Sequence, residues 1–206
     1  MFLGVGFIYT KTSLAFAIAH MTLESHDPGG RVRIKLPADV TGEATFSPCG
    51  RYRPLLIRRW AEGDSFALWI GMNPSTATEE VDDPTVQREW NYTRVRLGVS
   101  AYVKANVMDY RATDPKALLE PGIEPQSEAN LNAILEQARN ARYVVLAFGA
   151  LTKAQRRYAS ELVTALEAEG IPLFCLGFTA DGSPRHPLYV KQDSPLVPFP
   201  AGSYRM

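Results

Sequence analysis

Cysteine is nearly absent from this chain: Cys49 and Cys175 are the only two in 206 residues, and they lie far apart. Two thiols are too few for a cysteine-ligated iron–sulfur cluster, and a reduced, cytoplasmic chain is the default expectation. Net charge is absent too. The 22 Lys and Arg residues balance 22 Asp and Glu residues, so charge alone does not advertise a nucleic-acid partner. The cations are mostly arginine, which suits phosphate or carboxylate forks. No His/Cys grouping has zinc spacing, and no G-x-G-x-x-G is present for a dinucleotide, so neither a metal nor a cofactor is expected. Gly149-Ala150-Leu151-Thr152-Lys153 lacks the glycine–lysine spacing of a phosphate-binding loop. There is no G-x-S-x-G elbow, which makes Ser75 a poor nucleophile candidate.

Long unbroken apolar runs are missing as well. The stretch Met1 to Ala19 is rather apolar, but Lys11 interrupts it and no Lys or Arg precedes it. It is too short and broken to span a bilayer, and it lacks the basic start of a signal peptide, so no membrane partner is expected. The expectation is an over-extended start with Met21 as the native first residue.

What is present is a globular composition, 46% hydrophobic, in a length that suits one domain with an appendage. Residues 1–44 read as a leader of uncertain order and residues 45–206 as a single α/β domain. In the leader, Arg31-Val32-Arg33-Ile34-Lys35-Leu36 alternates like a solvated edge strand. Arg51 to Trp60 reads as a further edge strand, because Pro54 argues against a central position. Phe66 to Met72 reads as a buried strand. Asp83 and Pro84 are a strong helix start, and Val86, Trp90, Thr93 and Leu97 fall on one helical face before Gly98 ends it. Strands over 101–107, 143–148 and 172–177 alternate with two further helical patterns, the first marked by Leu131, Ile134, Leu135 and Ala138, the second by Tyr158, Leu162, Ala165 and Leu166. This alternation predicts a mainly parallel sheet covered on both faces.

The most informative stretch follows the first buried strand: Gly71-Met72-Asn73-Pro74-Ser75-Thr76. Gly71 permits close backbone approach, Asn73 offers a donor and an acceptor, and Pro74 stiffens the turn. The second strand ends at Asn106 and leads to Arg111, the third is followed by Gly149, and the fourth leads to Arg185-His186-Pro187-Leu188-Tyr189. In a parallel sheet these four loops share one rim, where ligands gather.

Several of these blocks, Asn73-Pro74-Ser75-Thr76-Ala77, Asp82-Asp83-Pro84-Thr85, Asn106 to Pro115 and Arg185 to Tyr189, resemble the bacterial domain-of-unknown-function family 1643 across roughly Arg51 to Pro198. More distantly, Gly71-Met72-Asn73-Pro74, Asn106, Phe148-Gly149-Ala150 and His186-Pro187 are similar in kind and order to motifs of the uracil-DNA glycosylase superfamily. That resemblance implies a three-layer sandwich with a central, mainly parallel four-stranded sheet, plus an N-terminal edge strand or hairpin. It implies a nucleobase N-glycosidic hydrolase acting on DNA or a nucleotide, the alternative being a non-catalytic nucleotide or nucleic-acid binding protein using the same pocket. Asn73 would orient water and His186 would donate to the departing base. Asn106 would read the base, and Leu188 or Tyr189 would fill the space of a flipped one. Gly71, Met72, Pro74, Ser75, Arg111, Gly149 and Arg185 complete the expected binding set. Ser75, Phe148 and Leu188-Tyr189 depart from the glycosylase pattern.

Each role has a structural alternative. Asn73 caps a turn, Asn106 satisfies backbone, and His186 is a loop residue. Asp82 and Asp83 begin a helix, or face the pocket as carboxylates of a different reaction. Arg111 and Arg185 contact phosphate, or pair with Asp109 and Asp181 at the surface. Trp60, Trp69 and Trp90 fit the core.

Overall fold

The computed structural model describes residues 26–30 and 32–204. The apolar Met1 to Ala19 stretch and Met21 lie outside the described residues. In chain order the strands and helices are β1 (Ile34–Lys35), β2 (Thr41–Thr45), β3 (Leu55–Arg59), β4 (Phe66–Gly71), β5 (Val81–Asp82), α1 (Pro84–Arg96), β6 (Ala101–Asn106), α2 (Asn130–Asn140), β7 (Tyr143–Leu146), α3 (Lys153–Ala168), β8 (Leu173–Cys175) and β9 (Val197–Pro198). Short 3-10 helices cover Pro115–Leu119 and Pro187–Tyr189.

The apolar run Ala67-Leu68-Trp69-Ile70 has no solvent exposure at all, and β4 accordingly lies inside the main sheet. It pairs in parallel with β6 on one side and β7 on the other, and β7 pairs in parallel with β8. Side chains alternate across the sheet. Leu68 and Ile70 pack with Ile134 of α2 and with Ala159, Leu162 and Leu166 of α3. Ala67 and Trp69 pack with Val86 and Trp90 of α1 on the opposite face. Helices on both faces explain why β4 is apolar throughout instead of alternating.

The sheet is larger and more mixed than the sequence predicts. Its order is β2-β3-β6-β4-β7-β8-β9, and the pairings β2–β3, β3–β6 and β8–β9 are antiparallel. The expected four parallel strands are only its middle. β3 is not an edge: it pairs with β2 and β6 on its two sides. Pro54 sits one residue before β3, where its missing N–H removes no ladder bond. The outer edge is β2, which lies in the expected leader except for its last residue, Thr45. The described residues before Thr45 therefore take part in the fold: β1 pairs with β5, and Thr113 N donates to Pro28 O at 2.8 Å. At the other edge, β9 supplies Val197 and Pro198, and a proline is tolerated at such a position.

The start of α1 is fixed as the sequence suggests. Asp83 accepts from Val86 N at 2.9 Å, and Pro84 takes the first helical position. Immediately before it, Asp82 is fully buried. Its carboxylate accepts from Arg58 Nε at 2.9 Å and from Trp90 Nε1 at 2.6 Å, tying β3, β5 and α1 together. Arg58 also donates to the Thr78 and Val81 carbonyls. Burial pushes the Asp82 carboxyl up, and the Arg58 guanidinium opposes that shift.

Removing one partner of this pair leaves a charge buried without compensation. Arg58→Ala is expected to destabilise the protein by about 3–5 kcal/mol. Urea unfolding measures this, and a loss below about 1 kcal/mol, the level of an exposed pair, would show that the cluster is not the brace inferred here.

Candidate functional site

Four chain segments that leave parallel strands meet the N-terminus of α1 around one cleft of about 700 Å³. The end of β4 and the loop after it contribute Gly71, Met72, Asn73 and Ser75, and β6 contributes Lys104 and Asn106. The loop after β7 contributes Phe148, Gly149 and Ala150. The segment after β8 contributes Thr179, Arg185, His186, Leu188 and Tyr189, and α1 brings Asp83 to Val86. Ten of the twelve expected residues therefore line one space: Asn73, His186, Gly71, Met72, Ser75, Asn106, Gly149, Arg185, Leu188 and Tyr189.

Two expected residues are not in the lining. Pro74 is buried behind it, and its carbonyl accepts from Ala112 N at 2.9 Å. Arg111 turns toward the N-terminal segment. Its guanidinium lies 4.8 Å from the Phe46 ring centroid and donates to the Gly50 carbonyl at 2.9 Å. It is neither a phosphate contact in the cleft nor the partner of Asp109, whose carboxylate accepts from Ser127 N and Oγ. Arg185 donates to Phe178 O, and Asp181 pairs with Arg156 instead.

The floor of the cleft is polar and buried. Asn106 is 1% exposed, yet neither Oδ1 nor Nδ2 has a hydrogen-bond partner among the described residues. Its backbone is secured: Asn130 Nδ2 donates to Asn106 O at 3.0 Å, and Val107 N donates to Gly71 O at 2.8 Å. Buried amides are normally paired, so an amide left with neither end partnered marks Asn106 as a candidate binding group. Arg53 is 1% exposed and leaves Nε without a partner while Nη1 donates to Ala77 O. Burial lowers its pKa to about 10, which still leaves it cationic at neutral pH.

Beside Asn106, Lys104 Nζ donates to Glu89 Oε1 at 2.7 Å and to Oε2 at 2.8 Å. Tyr102 donates to the same Oε2 at 2.6 Å. Residues 102, 104 and 106 alternate onto the face of β6 that α1 covers, so one helix glutamate meets two strand side chains. Burial drives the Glu89 carboxyl up, against the pull of Lys104 and Tyr102. Gly71 makes room for this arrangement. A β-carbon there would stand 2.5 Å from Lys104 Nζ and 3.0 Å from Asn106 Oδ1.

His186 faces the same cleft. Its Nδ1 accepts from Leu188 N at 3.4 Å at the start of the one-turn helix, which assigns the ring proton to Nε2. Burial and then the Lys104 charge lower its pKa to about 4. The ring is neutral at physiological pH, and its Nε2 carries the N–H. Gly149, with φ of 72°, lets the chain pass close by: a β-carbon there would lie 3.2 Å from His186 Cβ. Asn73 has both amide hydrogens engaged, donating to Ala112 O at 2.6 Å and to Pro74 O at 3.1 Å. That holds the loop after β4 and leaves Oδ1 as its spare acceptor. At the mouth, Tyr189 is 82% exposed beside the exposed Leu188.

Asp83 lines the cleft but is engaged as the α1 cap. Asp82 does not line it and is saturated by Arg58 and Trp90. Among the described residues, no three His, Cys, Asp or Glu side chains gather where they could hold a metal ion. No helix among them is long and apolar enough to cross a membrane. The sequence reading missed Lys104, Glu89 and Arg53. The available signal was Lys104 itself, a lone cation inside the apolar strand Ala101 to Val107.

Residues 51–188 match the family described as a protein of unknown function (DUF1643), and the chain belongs to that family. No curated protein and no solved structure gives a significant match.

Two outcomes are expected. By NMR, the His186 ring stays neutral on acidification from pH 8 and titrates near pH 4. Because 4 lies below the ordinary 6.5, the unfolded chain binds the proton first. The His186 contribution to stability is complete above pH 6.5 and is lost as pH falls toward 4. A ring that titrates at 6.5 would contradict the buried setting. Gly71→Ala is expected to cost about 1–3 kcal/mol in urea unfolding, because the added methyl meets Lys104 and Asn106. A neutral substitution would mean that those side chains are free to move.

Proposed function

We propose that this DUF1643 protein binds a nucleobase in the cleft and hydrolyses its N-glycosidic bond, in DNA or in a nucleotide. The observation that carries the reading is Asn106: an amide at the end of an inner strand, buried, with donor and acceptor both open. A nucleobase edge offers adjacent donors and acceptors that match an amide in pairs. The similarity of the Asn73, Asn106 and His186 segments to uracil-DNA glycosylase motifs supports the same reading, and so does their presence around one cleft.

The chemistry required is modest. Breaking the bond between the sugar C1′ and the base nitrogen leaves positive charge on the sugar and negative charge on the base. Water adds its hydroxyl to C1′, and its remaining proton ends on the base. Asn73 Oδ1 accepts from that water and orients it, since the amide hydrogens are engaged elsewhere. The neutral His186 donates from Nε2 to the base oxygen as charge builds, without having to surrender a proton. Phe148 and Met72 give the base an apolar wall. Leu188 and Tyr189, exposed at the mouth, offer a stacking surface that offsets the few kcal/mol of unstacking a base.

A second reading, a nucleobase sensor without turnover, draws on the carboxylates. Among the described residues, the one carboxylate that lines the cleft, Asp83, is occupied as a helix cap. A panel of uracil-, hypoxanthine- and mismatch-containing oligonucleotides, together with 2′-deoxyuridine, separates the two. Hydrolysis predicts an abasic product or free base with the wild type, falling by about 10²-fold or more in His186→Ala, as for loss of a transition-state donor. Saturable binding without product favours the sensor. Neither binding nor product would overturn both.

A further inference from the structure

Asn106 by itself does not choose a base. An amide reads an N–H beside a carbonyl in one orientation and, flipped, reads a ring nitrogen beside an amino group equally well. No described residue holds either end, so hydrogen bonding within the protein does not decide the orientation. What lies beside it is a fixed charge. Lys104 Nζ is held by both oxygens of Glu89, which Tyr102 holds in turn. Nζ and the Asn106 Oδ1 position share the space above Gly71, which lines the cleft. An ammonium in a buried setting attracts the oxygen end of a neighbouring amide and repels its NH₂ end.

We propose that Lys104 sets the base preference of the cleft, turning the Asn106 oxygen toward itself so that the floor selects an edge reading carbonyl, N–H, carbonyl. The inference rests on the nucleobase reading above and specifies its substrate class. In order across the floor, Lys104 Nζ donates with its remaining N–H, Asn106 Oδ1 accepts, and Asn106 Nδ2 donates. Uracil and thymine present the complementary acceptor, donor, acceptor. Hypoxanthine supplies the first two. Cytosine opposes Oδ1 with its unprotonated ring nitrogen in either direction. It also sets its amino group against Nδ2 or against Lys104, pairing donor with donor. A site whose buried polar groups meet the wrong partners rejects a ligand that it would otherwise fit.

The test titrates the purified protein with uracil, cytosine and 3-methyluracil, followed by protein-observed NMR. The wild type is expected to bind uracil about tenfold or more tightly than cytosine, the scale of one mismatched polar contact. It is expected to lose 3-methyluracil, whose methyl replaces the N–H that faces Oδ1. The double variant Lys104→Met with Glu89→Gln removes both charges and frees the amide. Its uracil-to-cytosine ratio is expected to fall to within about threefold, as the discrimination against the wrong partner disappears. Wild-type protein that binds uracil and cytosine alike, or binds 3-methyluracil as well as uracil, overturns the inference and leaves the nucleobase reading standing. A double variant that keeps the full preference also overturns it, since Lys104 is then not the selector. Saturable binding of none of the three overturns the nucleobase reading and this inference together. The 3-methyluracil comparison needs only wild-type protein, so a variant that fails to fold does not remove the test.

Discussion

The contact between Lys104 and Glu89 places an ammonium and a carboxylate inside the protein, between a strand and the helix that covers it. Taking two charges out of water is expensive, and such a pair is seldom the cheapest way to fill a core. An apolar pair at these positions would cover β6 as well. What an apolar pair cannot do is fix a positive charge at the floor of a cleft, next to an amide whose two ends are open. The rest of the site follows from holding that charge still. Glu89 takes it from above, Tyr102 steadies Glu89, Gly71 clears the space beneath it, and its field helps keep His186 neutral.

α1 is consequently more than a cover for the sheet. Its N-cap, Asp83, stands at the cleft wall and its second turn carries Glu89 over the floor, so the angle at which the helix leaves β5 sets the geometry of the site. Arg58, Asp82 and Trp90 set that angle by joining β3, β5 and α1 in one buried network. The antiparallel strands at the β2–β3 side thereby help set the geometry of the cleft although no residue of β2 lines it. The N-terminal segment contributes in the same indirect way, since Pro28 and Gly29 carbonyls hold Thr113 at the rim.

Much of this was legible in the sequence where the physics is local. Asp83 followed by Pro84 states a helix start, and the apolar run at 66–70 states a strand buried on both faces. Glycine or asparagine after each strand marks the rim where the cleft lies. What could not be read was pairing at a distance. Glu89 and Lys104 meet because a helix folds back over the strand that follows it, and nothing in either segment names the other. Pro54 misled for a related reason: a proline demotes the residue it occupies, but β3 begins one position later and is free to pair on both sides. Arg111 looked like a phosphate contact because charge and loop position are visible in a sequence, whereas the direction of the side chain depends on Phe46 and Gly50 far upstream.

A crystal structure of the protein soaked with uracil tests the central claim most directly, because it asks whether the open amide and the fixed ammonium are a reading surface. The account predicts the base edge against Asn106 and Lys104 above Gly71, with the ring against Phe148 and His186 within hydrogen-bonding distance of a base oxygen. A base bound only at the outer rim near Tyr189, with the Asn106 amide untouched at saturating ligand, would contradict it.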